Sequence, residues 1–509
     1  MLNYRYFKQA LLFIMLFVSF SCKKDLGNYN YEEINSVDFG GIDKTYNALL
    51  GERFMISPVL KFTKDESNDE QAYSYQWFAM RKGEALNSEI RKELATTRNL
   101  DVVVKIPSGN YEVYYIVTDK KTGVAYRTSF RLTVQTSIYE GWMVLNDVNG
   151  TARLDMISKI NDNYAPVADV LGSTGSELSL KGKPLDVHCY PYSFSTYGIY
   201  VSTDKGTNRI DPETFKWKNT FNLKYEMVSN VPDDFHADFI ASTEHPQGAG
   251  TSYMFSAGNV YYYYYVYQIN YGVPINLVKE EAVPFKAAPF IARSLSSVTL
   301  TPNAVLFDVD KKRFVRHINN ESTCTTMPTM DNALFDYNNV GKDLIYMEYS
   351  PFNGGDVFAI LKGGDGKVFL ARFNLVTAIQ TYYAEITGTE IGNADKFAVN
   401  PTYGYLFYNA GSKVYEYDMS LKTSKMMMDK GSEKISLLKF QRFTKAGSSR
   451  PYYESRQNQL MVCSYDPALP AERNGKMELY TVPSLNGDLT LGESYSGFGK
   501  IVSVSYRER

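Results

Sequence analysis

Apolar and polar positions alternate along much of this chain with a period of two, the pattern of strands with one buried face. Between Ser36 and about Gln135 the pattern predicts a run of strands. Residues 54–62 are largely apolar and follow a Gly51-Glu52 turn. In residues 73–80 the alternation puts Tyr73, Tyr75 and Trp77 on one face, and 99–106 is a further strand. Residues 111–118 and 124–134 read as a hairpin around Asp119-Lys120-Lys121-Thr122-Gly123, with Tyr111, Val113, Tyr115 and Val117 sharing a face.

From Ile138 the pattern becomes a long array of short strands. Seven segments share one grammar: an apolar strand, a tight polar or glycine turn, and a second strand. They are 141–157, 198–216, 252–266, 304–318, 356–374, 404–419 and 459–482. Their starts recur about every 53 residues, a spacing that suits four-stranded propeller blades. A lone hairpin cannot bury its apolar face, whereas stacked hairpins can. The fold class expected is therefore all-β, with a sandwich over 36–136 and a seven-bladed β-propeller over 138–509. Two β-sandwiches are the rival architecture. The closing run places Val502, Val504 and Tyr506 on one side and Ile501, Ser503 and Ser505 on the other. It is expected to complete the blade begun near Trp142.

The N-terminus carries a different pattern. Arg5 and Lys8 precede an apolar stretch from Ala10 to Phe20. That stretch is shorter than the roughly 20 apolar residues a spanning helix needs, so residues 1–21 read as a cleaved export signal. Ser19-Phe20-Ser21-Cys22 resembles a lipobox, which implies an acylated Cys22 as the first mature residue. Lys23-Lys24-Asp25 resembles the charged signal that sends lipoproteins to the outer face of the outer membrane in bacteria with SusC/SusD-type uptake systems. Residues 22–35 form a polar tether.

Composition narrows the function. Net charge is −2 with no basic stripe, which excludes nucleic acid as an expected partner. Cys189, Cys324 and Cys463 are far apart and fit neither a disulfide framework nor a zinc site, so they read as buried apolar residues. The 42 Tyr against 3 Trp favour strands and recognition surfaces together.

The motifs with catalytic overtones resolve into turns. Ser202-Thr203-Asp204-Lys205-Gly206-Thr207 is similar to a sialidase Asp-box, itself a turn device, and occurs once. His236 with Asp233, Asp234 and Asp238 has cation-binding chemistry but reads as a solvated connection. Residues 363–367 lie between two strands, so they form a hairpin turn and not a phosphate loop. No catalytic, metal or cofactor residues are nominated. Tyr261 to Tyr265 run consecutively, so Tyr261, Tyr263 and Tyr265 form one row of a strand. That row is the candidate ligand surface, with packing between blades as its structural alternative.

Larger resemblances agree with these readings. The Trp77 strand, the Gly109-x-Tyr111-x-Val113 opening and the Leu132-Thr133-Val134 ending resemble an immunoglobulin-like sandwich, and more narrowly a PKD domain. The WDFGDG segment usual in PKD domains is replaced by Tyr-Gln-Trp77-Phe. Together with the segment opening at Gly141 and the closing 497–509, the chain resembles the PKD-like family lipoproteins. That resemblance implies a lipoprotein held at the outer membrane by its lipid and facing the cell exterior. It further implies association with a SusC/SusD-type complex. The expected role is non-catalytic binding or scaffolding for glycan or peptide uptake; a propeller-type polysaccharide hydrolase or lyase is the alternative.

Overall fold

The computed structural model describes residues 35–64, 69–81, 91–160, 163–190, 198–243, 251–264, 269–294, 302–444 and 451–509. Contacts divide the chain into two units, Met1–Val134 and Gln135–Arg509.

In the first unit, five strands form one sheet in the order Thr45–Leu49, Ala125–Gln135, Gly109–Asp119, Tyr73–Arg81, Lys92–Ala95, the last four antiparallel to their neighbours in that group. Two two-stranded sheets accompany it, Val37–Gly40 with Val59–Phe62 and Arg53–Ile56 with Leu100–Val103. The expected hairpin is present, and Asp119 Oδ1 accepts from the Lys121 amide at its turn. Tyr111, Val113, Tyr115 and Val117 all point into the core. Trp77 stacks on Tyr115 with ring centroids 3.9 Å apart, and its indole N–H donates to the Thr97 carbonyl. The single strand expected over 54–62 is instead two strands on different sheets. Pro58 sits at the break; it has no N–H to donate to a ladder and restricts Ser57 before it.

The second unit holds seven small antiparallel sheets among the described residues. Sheet 1 comprises Gly141–Val148, Thr151–Ile160 and Asn163–Val167, and Lys500–Arg507 pairs along Gly141–Val148. Sheet 2 comprises Pro184–Cys189, Ile199–Thr203 and Gly206–Ile210. Sheet 3 comprises Phe239–Ser242, Ser252–Ser256 and Asn259–Tyr263. Sheet 4 runs Ala292–Arg293, Pro302–Asp308, Arg313–Ile318, Cys324–Thr326. Sheet 5 runs Asp343–Ser350, Asp356–Lys362, Val368–Asn374, Gln380–Glu385. Sheet 6 runs Phe397–Val399, Leu406–Ala410, Lys413–Asp418, Thr423–Asp429. Sheet 7 runs Lys434–Phe440, Gln459–Tyr465, Gly475–Thr481, Thr490–Phe498. Among the described residues, no sheet closes on itself.

Each of the seven repeat segments contains one hairpin of one sheet, formed by its second and third strands in sheets 2 to 7. The leading strand of that hairpin is buried along most of its length, because neighbouring sheets cover both faces. Alternate side chains therefore enter different apolar layers. Met143 and Leu145 pack towards sheet 2, while Trp142 and Val144 pack towards sheet 7. Tyr253 and Phe255 meet sheet 4, and Met254 meets sheet 2. Val357 and Ala359 meet sheet 4, and Phe358 and Ile360 meet sheet 6. Leu460 and Val462 face sheet 6, while Met461 and Cys463 face sheet 1. A strand covered on both sides reads as a continuous apolar run, and these segments do.

One facing assignment needs correction. A register shift opposite Leu145 and Asn146 leaves Val502 between the paired Ile501 and Ser503. Ile501, not Val502, joins Val504 and Tyr506 in the apolar layer against Trp142. A bulge inserts one residue and exchanges the faces beyond it.

Candidate ligand-binding cavity

The first strands of sheets 2 to 7, together with the C-terminal strand of sheet 1, line a cavity of about 510 Å³. Within this set, Pro184–Cys189 lies beside Lys500–Arg507 and Phe239–Ser242, and Lys434–Phe440 lies beside Phe397–Val399 and Lys500–Arg507. A few residues from each of these strands and its flanks reach the cavity.

Asp186 and His188 enter from sheet 2. Asp186 Oδ1 accepts from the Ser503 hydroxyl at 2.7 Å and Oδ2 from the Ile240 amide at 3.2 Å. Burial nevertheless pushes its carboxyl above the usual range. His188 Nε2 is 2.9 Å from the Ser242 hydroxyl. Burial, with Arg293 and Lys439 adding repulsion, lowers its pKa to about 3, so the imidazole is neutral.

Sheet 5 contributes Tyr346 and Glu348. Glu348 accepts from the Val399 amide at 2.6 Å, and burial pushes its carboxyl upward. Phe290, Tyr346 and Phe397 make an aromatic row, with centroids 5.8 Å and 5.4 Å apart.

Four cations face the same space, of which Lys396 pairs with the adjacent Asp395 at 2.8 Å. Lys439 Nζ donates to the Val504 carbonyl at 2.6 Å, and burial lowers its pKa. Arg442 donates through Nη2 to the Tyr349 carbonyl, and its Nη1 is buried without a hydrogen-bond partner among the described residues. Arg293 is half-buried, and burial lowers its pKa to about 10, with repulsion from Arg442 adding to the effect. Its strand pairs Arg293 with Ala304, but its side chain has no hydrogen bond or ion pair among the described residues.

The sequence reading did not nominate this set. Its members are scattered between Asp186 and Arg442 and belong to no motif. The signal that could have found them is positional, since most are charged or aromatic residues in the short stretch upstream of a predicted hairpin.

The nominated residues lie elsewhere. Tyr261 is half-buried with its ring 5.9 Å from Phe235, and Tyr263 is half-buried 6.3 Å from Tyr271. Both belong to the layer between sheets 2 and 3. Tyr262, on the opposite face, is fully buried against Tyr253. Tyr265, Cys22, Lys23, Lys24 and Asp25 lie outside the described residues.

Asp204 sits in a hairpin turn, where Oδ1 accepts from the Lys183 amide at 2.9 Å. Residues 363–367 also form a hairpin turn, between Asp356–Lys362 and Val368–Asn374. Asp233 pairs with Lys224 at 2.6 Å, away from any shared cation site. Among the described residues, no group of three or more His, Cys, Asp or Glu could hold a metal ion. Cys189, Cys324 and Cys463 are buried free thiols.

Residues 22–184 match the model of the PKD-like family. The match covers the first unit from residue 22 and continues through the first three strands of sheet 1 in chain order to Pro184, where sheet 2 begins. No curated protein matches the chain. Among solved structures, it is similar to a quinonprotein alcohol dehydrogenase-like protein from Bacteroides thetaiotaomicron. Identity is 11%, coverage 94% of this chain and 100% of that one, and TM-score 0.42. A DUF4784 family protein from Bacteroides caccae is 9% identical, with 93% and 98% covered and a TM-score of 0.29. Aleuria aurantia lectin, in complex with alpha-methyl-L-fucoside, is 10% identical, with 75% and 90% covered and a TM-score of 0.32.

Proposed function

We propose that this chain is an outer-membrane lipoprotein facing the cell exterior, and a non-catalytic binding component of a SusC/SusD-type glycan or peptide uptake system. In this reading the seven sheets are the blades of one propeller. The propeller is supported by seven apolar layers, each shared by two consecutive sheets, the last joining sheet 7 to sheet 1. Anchoring is supported by the Ser19-Phe20-Ser21-Cys22 signal and by Lys23-Lys24-Asp25 after it. Two or three acyl chains bind a bilayer stably, because each buried CH₂ contributes about 0.8 kcal/mol.

The observation that carries the binding role is the cavity itself. Its volume of about 510 Å³ falls among those of small-molecule sites, and it mixes aromatic faces with charged groups of both signs. General-base catalysis near pH 7 favours a group titrating near that pH. His188 is shifted downward and Tyr346 well above its usual range, both away from neutrality. The alternative, a polysaccharide hydrolase or lyase, is favoured by Asp186 and Glu348 sharing one cavity with raised carboxyl pKa values. Release of reducing ends or unsaturated products from incubated polysaccharide would establish it in place of binding.

Anchoring and orientation are tested in cells. Labelling with a fatty-acid analogue is expected to mark the wild type and not Cys22→Ala. Alanines at Lys23, Lys24 and Asp25 are expected to leave the label in place and abolish digestion by protease added to intact cells. Label retained on Cys22→Ala, or equal digestion of both proteins, would refute the corresponding half of the reading.

A further inference from the structure

We propose that the central cavity selects a carboxylate-bearing sugar, with Arg293 receiving the carboxylate and the Phe290–Tyr346–Phe397 row lying against the sugar ring. This inference rests on the binding role above and deepens it by naming the ligand class.

Arg293, Lys439 and Arg442 line the cavity with the carboxylates of Asp186, Glu348 and Glu508, while Lys396, also in the lining, pairs with its neighbour Asp395 at 2.8 Å. None of the three cations forms an ion pair with a carboxylate among the described residues; Lys439 and Arg442 donate only to backbone carbonyls. Asp186 feels the field of Lys439, and Glu348 feels that of Arg442 first. Glu508 accepts from the Thr444 amide and hydroxyl, and no carboxylate pairs with Arg293 among the described residues. The charged group nearest to it in effect is Arg442, which repels it. Taking a guanidinium out of water costs free energy unless an anion or a set of acceptors compensates it. Here the protein supplies neither among its described residues, and an anionic ligand would supply both.

Shape selects among anions. A guanidinium presents parallel N–H donors that match a planar carboxylate in a bidentate pair. The aromatic row beside it offers apolar faces, which suit the C–H face of a pyranose ring better than a bare inorganic ion. Asp186 accepts from two donors, and Glu348 and His188 each hold a partner, yet all three retain further lone pairs or an N–H for hydroxyl groups. A carboxylate, a ring and hydroxyls together describe a uronic acid residue.

The test is calorimetric titration of the full chain with three probes: a trisaccharide of galacturonate, the neutral galactose trisaccharide, and inorganic phosphate. The expected result is binding of the galacturonate probe alone, weakened as salt is raised. Arg293→Gln is expected to weaken it tenfold or more, and Arg293→Lys, which keeps the charge and loses the fork, by less. A thermal melt of each variant, unchanged from wild type, confirms that the loss is local. Phe290→Ala is the second variant, expected to weaken the same probe through the aromatic row. Equal binding of neutral and acidic trisaccharides, with no effect of Arg293→Gln, would overturn the selection for a carboxylate and leave the binding role standing. Phosphate binding as tight as galacturonate would overturn the sugar assignment. Cleavage of the galacturonate probe during titration would overturn the non-catalytic reading while leaving Arg293 as the carboxylate partner.

Discussion

Deleting residues 499–509 is expected to lower the melting temperature of the second unit by about ten degrees or to prevent its folding. Ile501, Val504 and Tyr506 are buried in the layer between sheets 1 and 7, at 0%, 0% and 2% exposure. Burying a large apolar side chain contributes about 1.5–3 kcal/mol, so these three alone represent about 6 kcal/mol. At about 2 °C per kcal/mol for a large domain, that is about ten degrees. Polar losses add to this. Glu140 accepts from the Tyr506 hydroxyl at 2.7 Å and from Tyr453 at 2.9 Å, and the deletion removes the first. Asp186 loses Ser503, and Lys439 loses the Val504 carbonyl, so the cavity loosens with the strand. The backbone of Gly141–Val148 would also lose its partner along one edge. Thermal unfolding of the full chain beside one ending at Phe498 decides the matter. Midpoints within a degree or two of each other would show that the strand does not hold the sheets together.

Glu416→Gln is expected to stabilise the second unit at pH 8 by up to about 3 kcal/mol and to leave it nearly unchanged at pH 4. Glu416 lies on Lys413–Asp418, is 2% exposed, and has no hydrogen-bond partner for either carboxylate oxygen among the described residues. Burial raises its pKa from 4.5 to about 7, with Lys425 opposing and Asp418 reinforcing the rise. Below about pH 4.5 the group is protonated in folded and unfolded chains alike, and the folded state bears no charge penalty. As pH rises through the interval between the two values, the unfolded chain ionises first, and stability falls until the folded group ionises near pH 7. A tenfold change in proton affinity is worth about 1.4 kcal/mol, so a rise from 4.5 to about 7 corresponds to about 3 kcal/mol; solvent retained around the carboxylate reduces this. Glutamine reproduces the protonated form and removes the slope. Urea denaturation of both proteins at pH 4 and pH 8 reads the effect. A difference between the variants that is the same at both pH values would show that ionisation of Glu416 does not govern it.

The seven hairpins were legible because everything that specifies them is local. In 252–266, Tyr253 to Phe255 is an apolar run, Ala257-Gly258 turns the chain with positive φ at both residues, and Val260 to Tyr263 returns. The break at Pro58 was equally local, and reading 54–62 as one strand passed over it. The face reversal at Val502 was not local. It arises where the partner strand changes register at Leu145 and Asn146, more than three hundred positions away.

Side-chain periodicity and turn chemistry act between near neighbours, and they were enough to specify the strand-rich character, the turn positions and the spacing of the seven hairpins. They also marked the apolar C-terminal run that pairs beside Trp142. Which charges share the cavity was settled only by the packing of the sheets. The polar residues of the six strands other than the C-terminal one that reach it look on paper like those of any solvated edge. Arg293 in the two-residue strand Ala292–Arg293 carries no pattern at all. Its significance comes from desolvation and from the carboxylates that fail to reach it, and both are properties of distance in space. A period of two along the chain records which side of a strand is apolar, and it holds no information about which other strand faces that side.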